Sequence, residues 1–345
     1  MKQVAITKMG NPSTGEKGEF GVIDYPIPEI GPEDVLIKVA FCAICGSDPH
    51  AAAGNLPIPV PFPLGHEVSG TIVQLGEKAT RKELEIGDRV AGNYAHFCGT
   101  CYYCRNGQEQ FCEAMMEWKM GGMAEYVVWH ESQVYKIPDS ISFEEASLLE
   151  PVSIALRAVE RADIRPGARV AVSGGGGIGL LAAQLARICG ASSVTVIEPI
   201  EEKRNLAKSL GIDHVIDPFT KNVQREALSL TDGIGFDSVI ESSGAPAAVK
   251  SILGTLAKGG TAVCFAMYPA DFELPFNLYA NTYFKEITVR GFFMSPYSFP
   301  RAVLFLPRLN LKALIQKVYS IDEAAEAFKA QMSGKYAKVL IKCSK

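Results

Sequence analysis

Four cysteines fall within fifteen positions, Cys98, Cys101, Cys104 and Cys112, at spacings of three, three and eight. Thiolates this close grip a soft or borderline metal, or they cross-link. Tetrahedral zinc takes four sulfurs at about 2.3 Å. Bacterial iron–sulfur spacing is tighter at its last gap and ends in proline. Here seven residues precede Cys112, Glu113 follows it, and no second set exists. All four donors are sulfur and none is left open for water, so the expected zinc is structural.

A quieter group lies upstream. Cys42-Ala43-Ile44-Cys45-Gly46-Ser47-Asp48-Pro49-His50 is followed by Pro63-Leu64-Gly65-His66-Glu67. In isolation, a buried cysteine or a satisfied histidine is the plain reading of either segment. Together they supply a thiolate, an imidazole and carboxylates near expected strand ends. A catalytic zinc needs three protein ligands and an open position.

A third group is glycine-rich. Gly174, Gly176 and Gly179, with Gly177 and Ile178 between them, fit G-x-G-x-x-G. They follow an expected strand and open an expected helix. Such glycines allow a tight turn and let pyrophosphate approach backbone N–H groups at a helix N-terminus. Glu198 stands nineteen residues after Gly179. A carboxylate there accepts from the ribose 2′-OH of NAD and repels the 2′-phosphate of NADP. Lys203 and Arg204 are counted with this site. They soften the NAD preference, cover the adenine or face water.

Holding these groups takes two kinds of structure. Up to about residue 150 the chain is β-rich and turn-rich, with strands expected at Val35–Ala40, Gly70–Leu75, Asp88–Ala91 and Ala124–Val128. A helix is expected over Pro151–Ala162. After Pro166-Gly167, strands and helices alternate. The strands are Arg169–Ser173, Ser193–Ile197, His214–Ile216, Phe236–Glu241, Thr261–Phe265 and Thr288–Gly291. The helices are Gly179–Cys189, Glu201–Leu210, Val223–Leu230, Ala247–Leu256 and Tyr279–Phe284. That alternation predicts a doubly wound parallel sheet in an α/β fold. Helices Phe299–Leu306 and Ile321–Met332 and a strand Lys338–Lys342 form a tail too short for a domain, so it is expected to pack on the first one. The expected domains are 1–150 plus 292–345, with a metal lobe at 92–115, and 151–291 for the nucleotide.

The net charge is −4 with no basic stripe, which argues against a nucleic-acid partner. Met1–Thr7 has no apolar core before a small-residue cleavage site, so a signal peptide is not expected. Apolar stretches stop short of the roughly 18 residues a membrane span needs. The expected setting is the cytoplasm, where clustered thiols stay reduced and bind metal.

Ile-Cys-Gly-Ser-Asp at 44–48, Gly-His-Glu at 65–67, Gly-Asp-Arg-Val at 87–90, the four lobe cysteines, Glu150-Pro151 and the glycine loop form a specific set. With it the chain resembles the zinc-dependent medium-chain alcohol/polyol dehydrogenase family over essentially its whole length. It is similar to the sorbitol, threonine and sugar-alcohol-phosphate branches. The resemblance implies a GroES-like β-barrel catalytic domain, completed by the tail, plus a Rossmann domain. It implies two zinc ions per chain and NAD. Cys45 and His66 become zinc ligands, and Glu67 matches the third ligand of polyol dehydrogenases. Glu150 matches an acid that binds zinc directly or through water, and the choice between the two carboxylates stays open. Asp48 matches the acid that holds the histidine ring, and Cys42 reads as packing. Ser47 and His50 match a relay that passes the alcohol proton out. Zinc acts on the substrate alcohol as a Lewis acid and the nicotinamide takes the hydride.

The implied substrate is a small alcohol or polyol. Many sorbitol dehydrogenases carry Arg-Tyr where Phe293-Met294-Ser295-Pro296 stands, so a charged donor to a hydroxyl is lost. Phe97, Trp118, Met120 and Phe293 line a pocket or belong to the core. Tyr94 and Glu117 are candidate partners for sugar hydroxyls. No Arg/Lys cluster for a substrate phosphate is evident. L-Threonine 3-dehydrogenase or sugar-alcohol-phosphate oxidation is the alternative chemistry. A non-enzymatic nucleotide-binding protein is a third reading, opposed by the presence of Cys45 and His66. The resemblance implies a homodimer or homotetramer, with Thr288–Gly291 as the candidate pairing edge.

Overall fold

Short β-branched runs punctuated by glycine become the strands of two separate units. A computed structural model describes residues 1–11, 13–54, 58–81, 83–114 and 120–344. One unit comprises Met1–Glu150 and Phe299–Lys345, the other Pro151–Ser298.

In the second unit six parallel strands lie in the order His214–Ile216, Ser193–Ile197, Arg169–Ser173, Phe236–Glu241, Leu256–Cys264 and Thr288–Arg290. Val170, Val172, Val194, Val196, Val239 and Ile240 are fully buried. Such apolar runs suit a parallel sheet, whose strands are covered on both faces. Helices Gly177–Ile188, Glu201–Ser209, Val223–Leu230 and Pro246–Thr255 make the crossovers. The strand order reverses between Arg169–Ser173 and Phe236–Glu241. The carboxyl ends of strands at such a switch point form a crevice for ligands.

The first unit is built from antiparallel strands and the tail. Its larger sheet runs Ile315–Ser320, Lys338–Lys342, Asp34–Ala43, Glu67–Leu75, Arg89–Gly92 and Val134–Lys136, with Tyr126–His130 also paired to Asp34–Ala43. Glu19–Asp24, Lys2–Lys8 and Phe62–Pro63 form a smaller sheet. Ile6, Ile37, Ile72, Trp129 and Phe328 share one core. Phe328, on the tail helix Ala324–Met332, stacks on Phe20 with centroids 3.9 Å apart. Ile341 in the closing strand lies opposite Cys42.

Two registers place the chemistry. Ala43 pairs with Glu67, so Cys45, just past one strand, and His66, just before the other, come side by side. Leu340 pairs with Ala43, so Lys338 at the head of the tail strand reaches the same corner.

The chain returns to the first unit at Phe299, later than the expected 292. The intervening segment is tied to the helix Leu149–Arg161. Arg157 donates to the carbonyls of Phe293 and Met294 at 2.9 and 2.5 Å, and the Ser153 and Ser295 hydroxyls meet at 2.6 Å. No helix among the described residues is long and apolar enough to cross a membrane.

Candidate active site

Cys45 Sγ, a ring nitrogen of His66 and a carboxylate oxygen of Glu67 lie within 4.8 Å of one another. His66 and Glu67 are buried. Asp48, in the short helix Ser47–Ala52, accepts the Cys45 N–H at 3.1 Å through one oxygen. Its other oxygen faces His66 Nδ1 at 3.8 Å, and neither of these two buried atoms has a hydrogen-bond partner. A carboxylate aimed at one ring nitrogen fixes an imidazole whose other nitrogen binds metal.

The charge balance points the same way. Burial works against a charged His66 ring, yet the Cys45 thiolate, Asp48 and Glu150 drive its pKa up to about 10. Burial pushes Asp48 up to about 6 and Glu150 up to about 7, against the pull of His66. An anionic pocket that retains a proton this strongly has room for a cation in its place, and metal binding releases such protons. The donors fit a zinc ion.

The two expected carboxylates differ. Glu150, buried in the first turn of Leu149–Arg161, stays outside the compact group. Glu67 stays inside it, but Lys338 Nζ lies 2.6 and 2.5 Å from its two oxygens. Lys338 went unnoticed in the sequence because a lysine opening an apolar strand reads as a solvated end. Ser47 is half-buried and His50 is exposed three residues along the same helix. Tyr94 packs its ring 4.8 Å from that of His66. Cys42 is fully buried in the core, and burial raises its thiol pKa.

The lobe cysteines also converge, with all four sulfurs within 4.8 Å of one another. Backbone N–H groups of Cys98, Cys101 and Cys104 donate to the sulfurs of Cys112, Cys98 and Cys101 at 3.4, 3.4 and 3.5 Å. Such donors favour thiolates. Hydrogen bonds from Thr100 pull the Cys98 thiol down to about 6, while burial pushes Cys104 up to about 12. Four sulfurs with N–H donors behind them fit a closed zinc.

In the second unit a cavity of 600 Å³ opens at the carboxyl ends of the strands, lined among others by Gly174, Gly176, Glu198, Lys203, Phe219 and Ser243. Gly174 has φ +104°, and a Cβ at Gly179 would stand 1.9 Å from the Gly174 carbonyl oxygen. Only glycine permits this turn. The helix starts at Gly177, two residues before the expected Gly179, so its free N–H groups face the loop. Gly177 is buried and Ile178 half-buried.

Glu198 lines the cavity while its two oxygens accept the N–H groups of Gly175 at 2.6 Å and Ile200 at 2.9 Å. It therefore holds the glycine loop from the cavity wall. Arg204 corrects an expectation. It turns from the cavity, donates to the carbonyls of Glu198 and Pro199, and pairs with Asp217 at 3.2 Å. Glu241 was missed. It is fully buried at the end of its strand and accepts from Ser243 N–H at 2.9 Å and Tyr268 O–H at 2.5 Å. A carboxylate closing the apolar run Val239-Ile240 before Ser-Ser-Gly was the signal. A second hollow of 510 Å³ lies at the opposite strand ends. Its Arg169 is paired with Asp237 at 3.0 Å, and it is remote from the glycine loop.

Among the expected pocket residues, Phe97 and Met120 are half-buried and Phe293 is 46% exposed. Ser295 spends its hydroxyl on Ser153. Glu117 and Trp118 lie outside the described residues.

Residues 31–139 match the alcohol dehydrogenase GroES-like domain and residues 177–307 the zinc-binding dehydrogenase domain. L-Threonine 3-dehydrogenase of Pyrococcus abyssi is 36% identical over 98% of both chains. Sorbitol dehydrogenase of Bacillus subtilis is 31% identical over 92% of both. A crystal structure of a zinc-binding dehydrogenase from Clostridium scindens superposes with a TM-score of 0.95, 37% identity and 99% coverage of each chain. Another, from Sinorhizobium meliloti and bound to NADP, gives a TM-score of 0.89, 31% identity and 99% coverage of each chain. The chain belongs to the zinc-dependent medium-chain dehydrogenase family, with a GroES-like domain and a Rossmann domain.

Proposed function

We propose that this protein transfers a hydride between NAD and a secondary alcohol of a polyol, sugar or sugar acid. The observation that carries the reading is the corner that gathers half-buried Cys45 with buried His66, Glu67 and Asp48, in a chain that also holds a glycine-loop cavity. Bound zinc supplies Lewis acidity toward an alcohol oxygen, and bound nicotinamide supplies the hydride acceptor. The chain's own residues hold these partners and move one proton. Cys45 and His66 grip the metal and Asp48 orients the ring. Glu67 and Glu150 are the carboxylates at hand. The Ser47 hydroxyl accepts the alcohol proton as it gives up its own toward His50, which is exposed on the same helix and releases a proton to solvent.

NAD⁺ reduction against polyols, sugar acids, L-threonine and their phosphates tests the reading. Turnover of at least one non-phosphorylated polyol or sugar acid supports it. Turnover confined to L-threonine selects the alternative, which the threonine dehydrogenase relatives favour. Cofactor binding with no turnover on any alcohol removes both.

The NAD preference is assigned to the Glu198 carboxylate on the cavity wall. A charged hydrogen bond contributes about 1.5–3 kcal/mol. Glu198→Ser is therefore expected to lower the NAD-to-NADP ratio of kcat/KM by at least about 10-fold. An unchanged ratio in a folded variant counts against this role. The homodimer or homotetramer reading rests on the open edge strand Thr288–Arg290, where Val289 is 44% exposed. Sedimentation at single-chain mass would remove it.

A further inference from the structure

Glu241 is fully buried, and its two oxygens meet five neutral donors. One oxygen accepts the Ser243 N–H at 2.9 Å, the Ser243 O–H, and the Ser173 O–H at 3.4 Å. The other accepts the Tyr268 O–H at 2.5 Å and the Gly244 N–H at 3.4 Å. A buried network with all its members partnered holds them in one arrangement. These members come from different parts of the sheet. Ser173 ends the strand before the glycine loop, Ser243 and Gly244 form the turn after Phe236–Glu241, and Tyr268 follows Leu256–Cys264. The register sets Glu241 between Ser173 and Cys264.

The turn held in this way is also pressed by its neighbours. A Cβ at Gly174 would stand 3.0 Å from the Ser243 nitrogen, and a Cβ at Gly244 (φ +70°) 2.7 Å from the Met267 carbonyl oxygen. Ser242 and Ser243 line the 600 Å³ cavity. The helix Pro246–Thr255 starts just after them and adds Ala247, Ala248 and Ser251 to the same wall. Glu241 stands behind that wall.

We propose that Glu241 is a positioning residue for the cofactor. Through Ser243 and Tyr268 it fixes the turn Ser242–Gly244 as the cavity wall beside the glycine loop, and so sets affinity for the ADP-ribose half of the nucleotide without touching it. Glu198 braces the glycine loop itself, through Gly175. This inference rests on the reading of the cavity as a nucleotide site. Glutamine can stand in for Glu241. Its carbonyl oxygen accepts the Ser243 N–H, and its amide donates to the Tyr268 oxygen, which accepts once its own proton turns away. Methionine offers neither group and leaves the buried donors without a partner.

Calorimetric titration of the zinc-loaded full chain with ADP-ribose tests this, because the number of sites counts folded protein while Kd reads the cavity. Glu241→Met is expected to raise Kd by about 10-fold or more, the worth of one hydrogen bond to a charged group, with the number of sites per folded chain unchanged. Glu241→Gln should stay within about 3-fold of wild type. Fewer sites at an unchanged Kd in Glu241→Met would make Glu241 a purely structural residue and overturn the proposal. A loss of about 10-fold in Glu241→Gln as well would place the effect in its charge rather than in the held turn, and would overturn it equally. Should Glu241→Met fail to fold, Tyr268→Phe decides, since its ring keeps its packing on Phe272. A Kd raised by about 3-fold or more then supports the role, and a smaller change overturns it. Wild-type protein that takes up no ADP-ribose would instead defeat the underlying nucleotide-site reading.

Discussion

Cys45→Ala is expected to lower kcat/KM by about 10³-fold or more in a protein that still folds and still binds NAD. Lewis-acid stabilisation of a developing charge is worth several kcal/mol, and each 1.36 kcal/mol is about tenfold in rate. In the proposed open site Cys45 is the sulfur ligand, and it stands next to His66 in the compact donor group. It is only half-buried and follows the strand Asp34–Ala43, so removing its sulfur opens no core cavity. The glycine loop belongs to the other unit, and cofactor affinity should hold. Metal analysis should fall from two zinc ions per chain to one. Intact turnover in Cys45→Ala, or fewer than about one zinc in the wild type, would sink the proposed chemistry.

Cys112→Ser should act in the opposite order, on stability first and on turnover only as folded protein is lost. The lobe sulfurs point at one another, with Cys98 and Cys104 4.0 Å apart, and Cys112 is the buried member. A structural zinc contributes folding free energy outright. For a unit of this size a loss of 1 kcal/mol lowers Tm by about 2–4 °C. Even about 3 kcal/mol of lost metal-derived stability therefore moves Tm by about 6–12 °C. The surviving folded fraction should keep its NAD affinity and one zinc per chain. Unchanged melting together with unchanged metal content would mean that the four sulfurs hold no ion.

Local signals were the ones that could be read in advance. Arg169–Ser173, Ser193–Ile197 and Phe236–Glu241 fold within their expected bounds because buried parallel strands are apolar runs between turn residues. The glycine loop was legible for the same reason, since its steric demands lie within six residues. Strands Lys2–Lys8 and Glu19–Asp24 gave no such sign. The first is buried over four consecutive residues rather than alternately, and the second is partly exposed throughout. The helix expected over Tyr279–Phe284 is a π-type turn, Tyr279–Tyr283. Aromatic spacing alone could not reveal its wider winding.

In the site, residue types were legible and their partners were not. Glu198 stands where a ribose acid belongs, but its hold on Gly175 depends on how the loop curls back. Arg204 looked like a cofactor contact because it lies six residues from Glu198 in the chain, yet its carbonyl and Asp217 partners turn it away. Lys338 and Glu67 lie 271 residues apart, and no local pattern links them.

The tail strand also has a consequence for synthesis. Residues Pro151–Ser298 are one continuous stretch, so the nucleotide-binding half can fold as soon as it leaves the ribosome, as domains generally do. The half that carries the metal corner is translated first but completed last. Its central strand Asp34–Ala43 waits for Lys338–Lys342, and the buried carboxylate of Glu67 has no counter-charge until Lys338 emerges. Once Ser298 has emerged the chain can therefore hold its cofactor pocket, while the metal corner still waits for Lys338.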